Sequence, residues 1–270
     1  MRTLVYATIP NEEEKVKYIK ANCFNELDLD SPIYRFLKYE DFITYNLSKS
    51  KLSMANPKIW PDPYDALLFS STVKVDNKSY ADMKILMDQV YVLCWTDKAE
   101  SELWWSHSSR CDNRSVRLKS TPRKILKYLF DFEDAGFYNK YFAGKIVYIN
   151  REDYITATKN LKLKNFFGTE LHMFLIKSLF IKTEEHSDES EVRFVFYDLE
   201  MGEANSNKLR HHFEININHV IDEITLHPNL AKGKIECMTN EIVSMGYKNC
   251  INQSELNLYP NGFFLDLSKS

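Results

Sequence analysis

The chain has 270 residues with 35 basic and 38 acidic side chains, a formal net charge of −3, so its overall charge gives no reason to expect a nucleic-acid or anionic-membrane partner, and only a local basic patch stays open. Hydrophobic residues make up 44% of it, enough apolar mass for a substantial core. Seven glycines leave little room for Gly-rich phosphate loops, and five scattered cysteines without a C-x-x-C pair argue against a zinc knuckle or a disulfide framework.

That cysteine usage fits a reducing cytoplasm. Met1 to Pro10 is too short an apolar run for a signal peptide, and no later stretch approaches the length of a membrane span. From Asn11 a cap candidate precedes three acids and then lysines, the order a helix dipole favours. Ile33 to Leu37 alternates like a strand, Glu40 to Leu47 has helical spacing, and Lys51 to Ala55 is extended again. Asn56 to Asp65 holds three prolines and reads as a loop carrying Trp60, Asp62, Tyr64 and Asp65.

Tyr80 to Gln89 looks helical, and Val90 to Thr96 is a continuous apolar run suited to a buried central strand. Trp104, Trp105 and His107 follow on a short helix or turn. Ser115 to Lys119 is a strand, Thr121-Pro122 opens a helix, and Lys145 to Ile149 is a further strand. Arg151 to Ile181 reads as helices broken near Gly168. Met201 to Lys208 has the composition of a hairpin loop, with Leu209 to Ile217 as its return strand. Asp222 to Pro228 is a short strand, Lys234 to Met245 a helix ending at Gly246, and Ser254 to Tyr259 a final strand. No repeat or linker divides the chain. The expectation is an N-terminal extension over residues 1–30 and a single α+β domain over 31–270, its helices interspersed around a mixed, largely antiparallel sheet.

The stretch Lys182 to Tyr197 stands out, because an acid-rich turn runs directly into an apolar strand. On a strand, Val192, Phe194 and Phe196 face one side and Glu191, Arg193 and Val195 the other, which puts Glu189, Glu191 and Arg193 on one face. A guanidinium there can hold one carboxylate ionised while the other is left to act; the same pattern also suits a solvated salt-bridge ladder. Other constellations are weaker. Ser106-His107 lacks the strand-to-helix elbow of a nucleophile. His211 and His212 are adjacent, so on a strand they point apart and cannot chelate one metal. Lys119, Arg123, Lys124 and Lys127 form a basic cluster that could meet a phosphate or simply be solvated. No metal site is expected.

Taken in order, these pieces resemble the bacterial family known as domain of unknown function 2971 (DUF2971), over residues from about Tyr34 to about Leu258. The resemblance lies in Tyr34-Arg35-Phe36, Leu52 to Pro57 with Pro61 to Asp65, Cys94-Trp95-Thr96 with Leu103 to His107, Lys182, Glu189-Ser-Glu-Val-Arg193, and Asp222 to Pro228. Pro61, Asp65, Ser108 and His186 depart from the family's usual residues. The order is also similar to that of the ADP-ribosyltransferase fold, in which an early Arg or His contacts NAD, aromatics pack on nicotinamide and a late Glu acts. That resemblance implies NAD as co-substrate, with Arg35 on a phosphate and Tyr34, Trp104 or Trp105, and His107 around the base. Glu191 would be the catalytic carboxylate and Glu189 would position the acceptor, a protein or a nucleic acid. Asp62, Asp65, Lys182 and Arg193 would support them, in a bacterial toxin or phage-defence effector. Two rivals remain: a non-catalytic ligand-binding or regulatory domain built on the same polar network, and a nuclease holding a divalent cation between Asp62, Asp65, Glu189 and Glu191.

Overall fold

The structure, a computed structural model, describes residues 13, 16–17, 21–74, 80–109, 113–129, 140–159, 169–198 and 208–257. Its strands in chain order are β1 (Cys23–Phe24), β2 (Ile33–Lys38), β3 (Lys51–Ala55), β4 (Thr72–Lys74), β5 (Tyr80–Asp82), β6 (Val90–Thr96), β7 (Ser115–Ser120), β8 (Tyr141–Lys145), β9 (Val147–Ile149), β10 (Ile181–Thr183), β11 (Glu191–Tyr197), β12 (Arg210–Glu214), β13 (Glu223–Leu226) and β14 (Cys250–Gln253). The helices are α1 (Tyr39–Asp41), α2 (Lys84–Met87), α3 (Glu102–Ser109), α4 (Pro122–Leu129), α5 (Arg151–Lys159), α6 (Thr169–Ser178), α7 (Ile217–Val220) and α8 (Lys232–Ser244). None of the described helices is long and apolar enough to cross a membrane.

The fold is α+β, built on a ten-stranded mixed sheet whose main path runs β1-β8-β11-β6-β2-β7-β13-β14, with β3 joined to β6 and β12 to β3. Among the described strands, only β1 with β8 and β13 with β14 pair in parallel within it. β11 lies in the middle because it is apolar on both faces. Its Val192, Phe194 and Phe196 enter one core with Leu93, Trp95, Ile125 and Ile242, while Val195 and Tyr197 enter a second with Val92, Phe142, Ile176 and Phe180. Each fully buried side chain of this size contributes about 1.5–3 kcal/mol of hydrophobic stabilisation.

One departure from regular pairing shapes the molecule. β2 is held to β7 over its whole length, from Ile33↔Ser120 to Lys38↔Ser115, but touches β6 at a single position, Tyr34↔Thr96. Farther along, β6 pairs with β3 instead, through Ala55↔Val92. The sheet therefore forks beside Thr96, with β2 and β7 on one arm and β6, β11 and β8 on the other.

Several expectations are corrected. Tyr80 to Gln89 divides into β5 and the single turn of α2. The helix expected over Glu40 to Leu47 is α1 followed by a wider π-helical segment, Phe42–Leu47, in which Ser48 N–H bonds Ile43 O at 2.9 Å. The strand expected at Lys145 to Ile149 is two strands, β8 and β9, which meet different partners. Arg210–Glu214 is a strand but not the return arm of a hairpin on β11, since it pairs with β3, from Arg210↔Ala55 to Glu214↔Lys51. The last described strand is Cys250–Gln253, ahead of the expected Ser254 to Tyr259. Cys23–Phe24, inside the stretch read as an extension, adds a strand to the sheet edge. The expected helix at Asn11 to Lys20, the break near Gly168 and the loop at Met201 to Lys208 fall largely outside the described residues.

Candidate functional site

Glu191 opens β11 immediately after Ser190, whose positive φ of 46° turns the chain out of a 3-10 turn, Glu184–Glu189. Thr96 Oγ1 donates to Glu189 O at 2.7 Å, and Asp97 N–H donates to Ser190 O at 3.1 Å, so the end of β6 pins this turn. Across the sheet Glu191 is in register with Thr96, and Thr96 with Tyr34. Paired residues share a face, so Tyr34, Thr96 and Glu191 form one row across β2, β6 and β11, spaced by about 4.5–5.5 Å between successive Cα atoms. The row sits at the mouth of the fork.

Beneath Glu191 lies a buried ionic cluster. Arg193, 1% exposed, donates from Nε and Nη2 to Glu191 Oε2 at 3.0 and 2.6 Å, from Nη2 to Asp65 Oδ1 at 2.7 Å, and from Nη1 to Leu179 O at 2.8 Å. Its guanidinium lies 4.7 Å from the centre of the Trp60 ring. Lys182 Nζ reaches Glu189 Oε2 at 2.7 Å, Asp65 Oδ2 at 3.2 Å and Glu191 Oε2 at 3.9 Å. Burial by itself lowers the pKa of both cations, but the charges of Glu191 and Asp65 outweigh it and hold both above their ordinary values. His186 sits between Glu189 Oε1 at 3.2 Å and Asp62 Oδ2 at 3.1 Å, the latter contact not aligned as a hydrogen bond. Two cations, Lys182 and Arg193, thus face three carboxylates, Asp65, Glu189 and Glu191, and the surplus charge beside the row is negative.

The fork itself is a cavity of about 140 Å³ walled by Tyr34, Arg35, Phe36, Leu37, Cys94, Trp95, Thr96 and Trp104. Trp104 stacks on Phe36 with ring centres 6.3 Å apart. Arg117 braces Tyr34 from the far side, its guanidinium 5.1 Å from the ring centre and tied to Glu100, Glu223 and Thr225. Arg35 has no carboxylate partner among the described residues, and burial pushes its guanidinium down to about 10. The indole Nε1 of Trp95 and that of Trp104 are also buried without a hydrogen-bond partner among the described residues. A second cavity of about 280 Å³ shares Arg35 and Leu37 with the first and adds Asp41, Tyr45, Asn46, Ser53, Arg210 and His212.

The expected site residues therefore fall into three places. Tyr34, Arg35 and Trp104 wall the fork. Asp62, Asp65, Lys182, Glu189, Glu191 and Arg193 form the ionic cluster, linked to the fork by Thr96 and by Cys94, which lies opposite Arg193 and whose thiol is raised by burial and by Glu191. Trp105 and His107 are elsewhere. Trp105, 2% exposed, packs on Phe36 and His227 and donates its Nε1 to Glu100 at 2.9 Å; His107 is exposed and touches only the edge of Trp104 among these rings. Neither lines the fork, so their assignment to the base pocket is corrected: Trp105, the residue after Trp104 on α3, faces Phe36 and His227, and His107, about one turn on and on the same side of the helix as Trp104, meets the edge of that ring at the exposed surface. The nuclease grouping is corrected as well: its four carboxylates contact Arg193, Lys182 and His186, and among the described residues no group of three or more His, Cys, Asp or Glu is placed to hold a metal ion. In the expected basic cluster, Arg123 pairs with Asp30 and Lys124 with Asp222. Sequence reading missed Thr96 and Arg210 as parts of these cavities, because only cross-strand register brings them there.

No protein-family model matches the sequence, and no curated protein matches it. Among solved structures it is similar to DarT of Thermus sp. 2.9 in complex with NAD+, at 11% identity and a TM-score of 0.40 over 85% of this chain and 98% of that one. The same DarT in complex with carba-NAD+ gives 11% identity and a TM-score of 0.39 over 86% and 98%, and in complex with ADP-ribosylated single-stranded DNA 11% and 0.39 over 86% and 97%.

Proposed function

We propose that the chain is an NAD-dependent ADP-ribosyltransferase-like enzyme, in keeping with its resemblance to DUF2971 and to the order of that fold, and acting as a bacterial toxin or phage-defence effector. The observation that carries the reading is the row Tyr34, Thr96, Glu191 at the mouth of a fork whose wall holds Arg35 without a counter-ion among the described residues. A half-buried guanidinium with no acid beside it is costly unless a ligand supplies the anion, and a phosphate of NAD is such an anion. Tyr34 and Trp104 offer ring faces for the nicotinamide, and the indole N–H groups of Trp95 and Trp104, unpartnered among the described residues, are donors for polar atoms of the substrate.

When the bond from C1′ of the ribose to nicotinamide breaks, its electron pair leaves with the neutral nicotinamide and positive charge grows on the ribose. Glu191, oriented by Arg193, stabilises that charge, helped by the carboxylate surplus around it. An acceptor oxygen or nitrogen then bonds to C1′ and gives up its proton. Glu189, fixed by Lys182 and His186, positions the acceptor.

The fully paired state of Glu191 Oε2 favours a second reading, a binding domain in which the cluster is scaffolding. Incubating the purified chain with adenylate-labelled NAD and bacterial lysate separates the two. Label transfer by the wild type and none by Glu191→Ala supports the enzyme; an absence of transfer from both, with NAD still bound, supports the binding domain. Growth arrest on expression that Glu191→Ala relieves would add the effector role.

A further inference from the structure

The cavity on the other side of Arg35 is built differently from the fork. On β12, Arg210 and His212 alternate onto one face, opposite Ala55 and Ser53 of β3, and both line the cavity together with Ser53. Ser53 Oγ is buried without a hydrogen-bond partner among the described residues. Lys49, Lys51 and Lys208 stand close enough, with Arg210, to add their charge to burial in holding His212 below its ordinary pKa. Among the described residues the one acid these lysines meet is Glu214, which Lys51 approaches loosely at 3.9 Å with both side chains substantially exposed. Among the described residues Asp41 is the one acid lining the cavity. At its rim Tyr45 is 42% exposed, and the Lys49 ammonium lies 4.8 Å from the centre of its ring. In a chain of net charge −3, this concentration of cations is local.

We propose that this basic cavity and its rim form a docking groove for single-stranded nucleic acid, with a backbone phosphate between Arg210 and His212 and a base on Tyr45. Cations that follow a backbone, beside an exposed aromatic face, are what an unpaired strand requires. A duplex keeps its bases stacked on each other and leaves Tyr45 nothing to cover. An acidic peptide offers carboxylates but no base faces. Because Arg35 and Leu37 wall both cavities, a strand in this groove ends beside the fork. Naming that strand as the ADP-ribose acceptor rests on the proposed function; its binding does not.

Fluorescence anisotropy of a labelled single-stranded DNA of about 12 nucleotides, titrated with the full chain and no NAD, tests this. Saturable binding is expected, with log K falling against log salt at a slope of about −3 if Lys49, Lys51, Lys208 and Arg210 each meet a phosphate. Arg210→Glu should weaken binding at least tenfold and flatten the slope. Tyr45→Ala should weaken it by roughly five- to a hundredfold at unchanged slope. Lys234→Glu, on the exposed side of α8, should leave it unchanged. Absence of saturable binding, indifference to both Arg210→Glu and Tyr45→Ala, or equally good competition by poly-glutamate would each overturn the proposal. Binding that follows the expected pattern in a chain that transfers nothing from NAD would sink the enzymatic reading and leave the groove standing.

Discussion

Arg193 and Glu191 share one carboxylate oxygen twice over: Nε and Nη2 both donate to Glu191 Oε2, at 3.0 and 2.6 Å, between two residues of one strand that face the same side. The pair is buried, and Asp65 and Lys182 complete it from two other segments. It fixes the direction of Glu191 at the head of β11.

Replacing Arg193 by Leu leaves Glu191 and Asp65 as buried carboxylates with Lys182 as their remaining close cation. The expected loss is about 3–5 kcal/mol of unfolding free energy, the cost typical of breaking a buried pair from one side. Urea denaturation measures it, and a loss below 1 kcal/mol would mean that water or a rearranged Lys182 takes over.

Behind Arg193, in register on β8, stands Gly144. A Cβ there would lie 2.9 Å from Phe180 Cδ1 and 3.1 Å from Phe24 Cβ. Gly144→Ala should therefore destabilise the chain by about 1–3 kcal/mol through overpacking. A thermal unfolding scan showing no drop would indicate that Phe180 moves aside freely.

Arg35 should behave in the opposite way. With no carboxylate beside it among the described residues and its pKa held down to about 10 by burial, it costs stability in the free chain. Arg35→Leu should leave stability unchanged or raise it by about 1 kcal/mol while abolishing NAD binding, the trade expected of a binding residue. A clear destabilisation in urea would assign Arg35 to scaffolding instead.

The parts of this architecture legible in the sequence are those with local periodicity. β11 shows it best: its alternation placed Val192, Phe194 and Phe196 in one core and Glu191 and Arg193 on the other face. The apolar run of β6 likewise announced a central strand. The partner of β12 was not legible, because Arg210–Glu214 follows β11 in sequence but pairs with β3, more than 150 residues earlier, and no short-range signal encodes that choice. The fork was hidden for the same reason, since it depends on where β2 leaves β6. The acidic cluster could be anticipated at Glu189, Glu191 and Arg193, which are neighbours in sequence, whereas the separation of His107 and Trp105 from it follows from packing of α3.

Stability should also respond to pH through His211. Its ring packs 4.5 Å from Phe196 and 5.5 Å from Tyr91, centre to centre, and burial, reinforced by Lys208 and His212 and opposed by Asp198, pushes it down to about 4. The unfolded chain takes up this proton near pH 6.5 and the folded chain only near 4. The contribution is thus complete above 6.5 and is lost as pH falls towards 4, on the order of 3 kcal/mol in all. His211→Phe should flatten the pH dependence of the urea midpoint between pH 6.5 and 4; an unchanged slope would place that dependence on other groups.

The central claim is that Glu191, in register with Thr96 and Tyr34, acts on the glycosidic bond of NAD. Release of nicotinamide from NAD by the purified chain, followed chromatographically under single-turnover conditions, tests it most directly. The account predicts release by the wild type and a fall on the order of 10²- to 10³-fold in Glu191→Gln, with Arg35→Ala losing affinity for NAD. Release by Glu191→Gln at the wild-type rate, or none from the wild type with NAD bound, would contradict it.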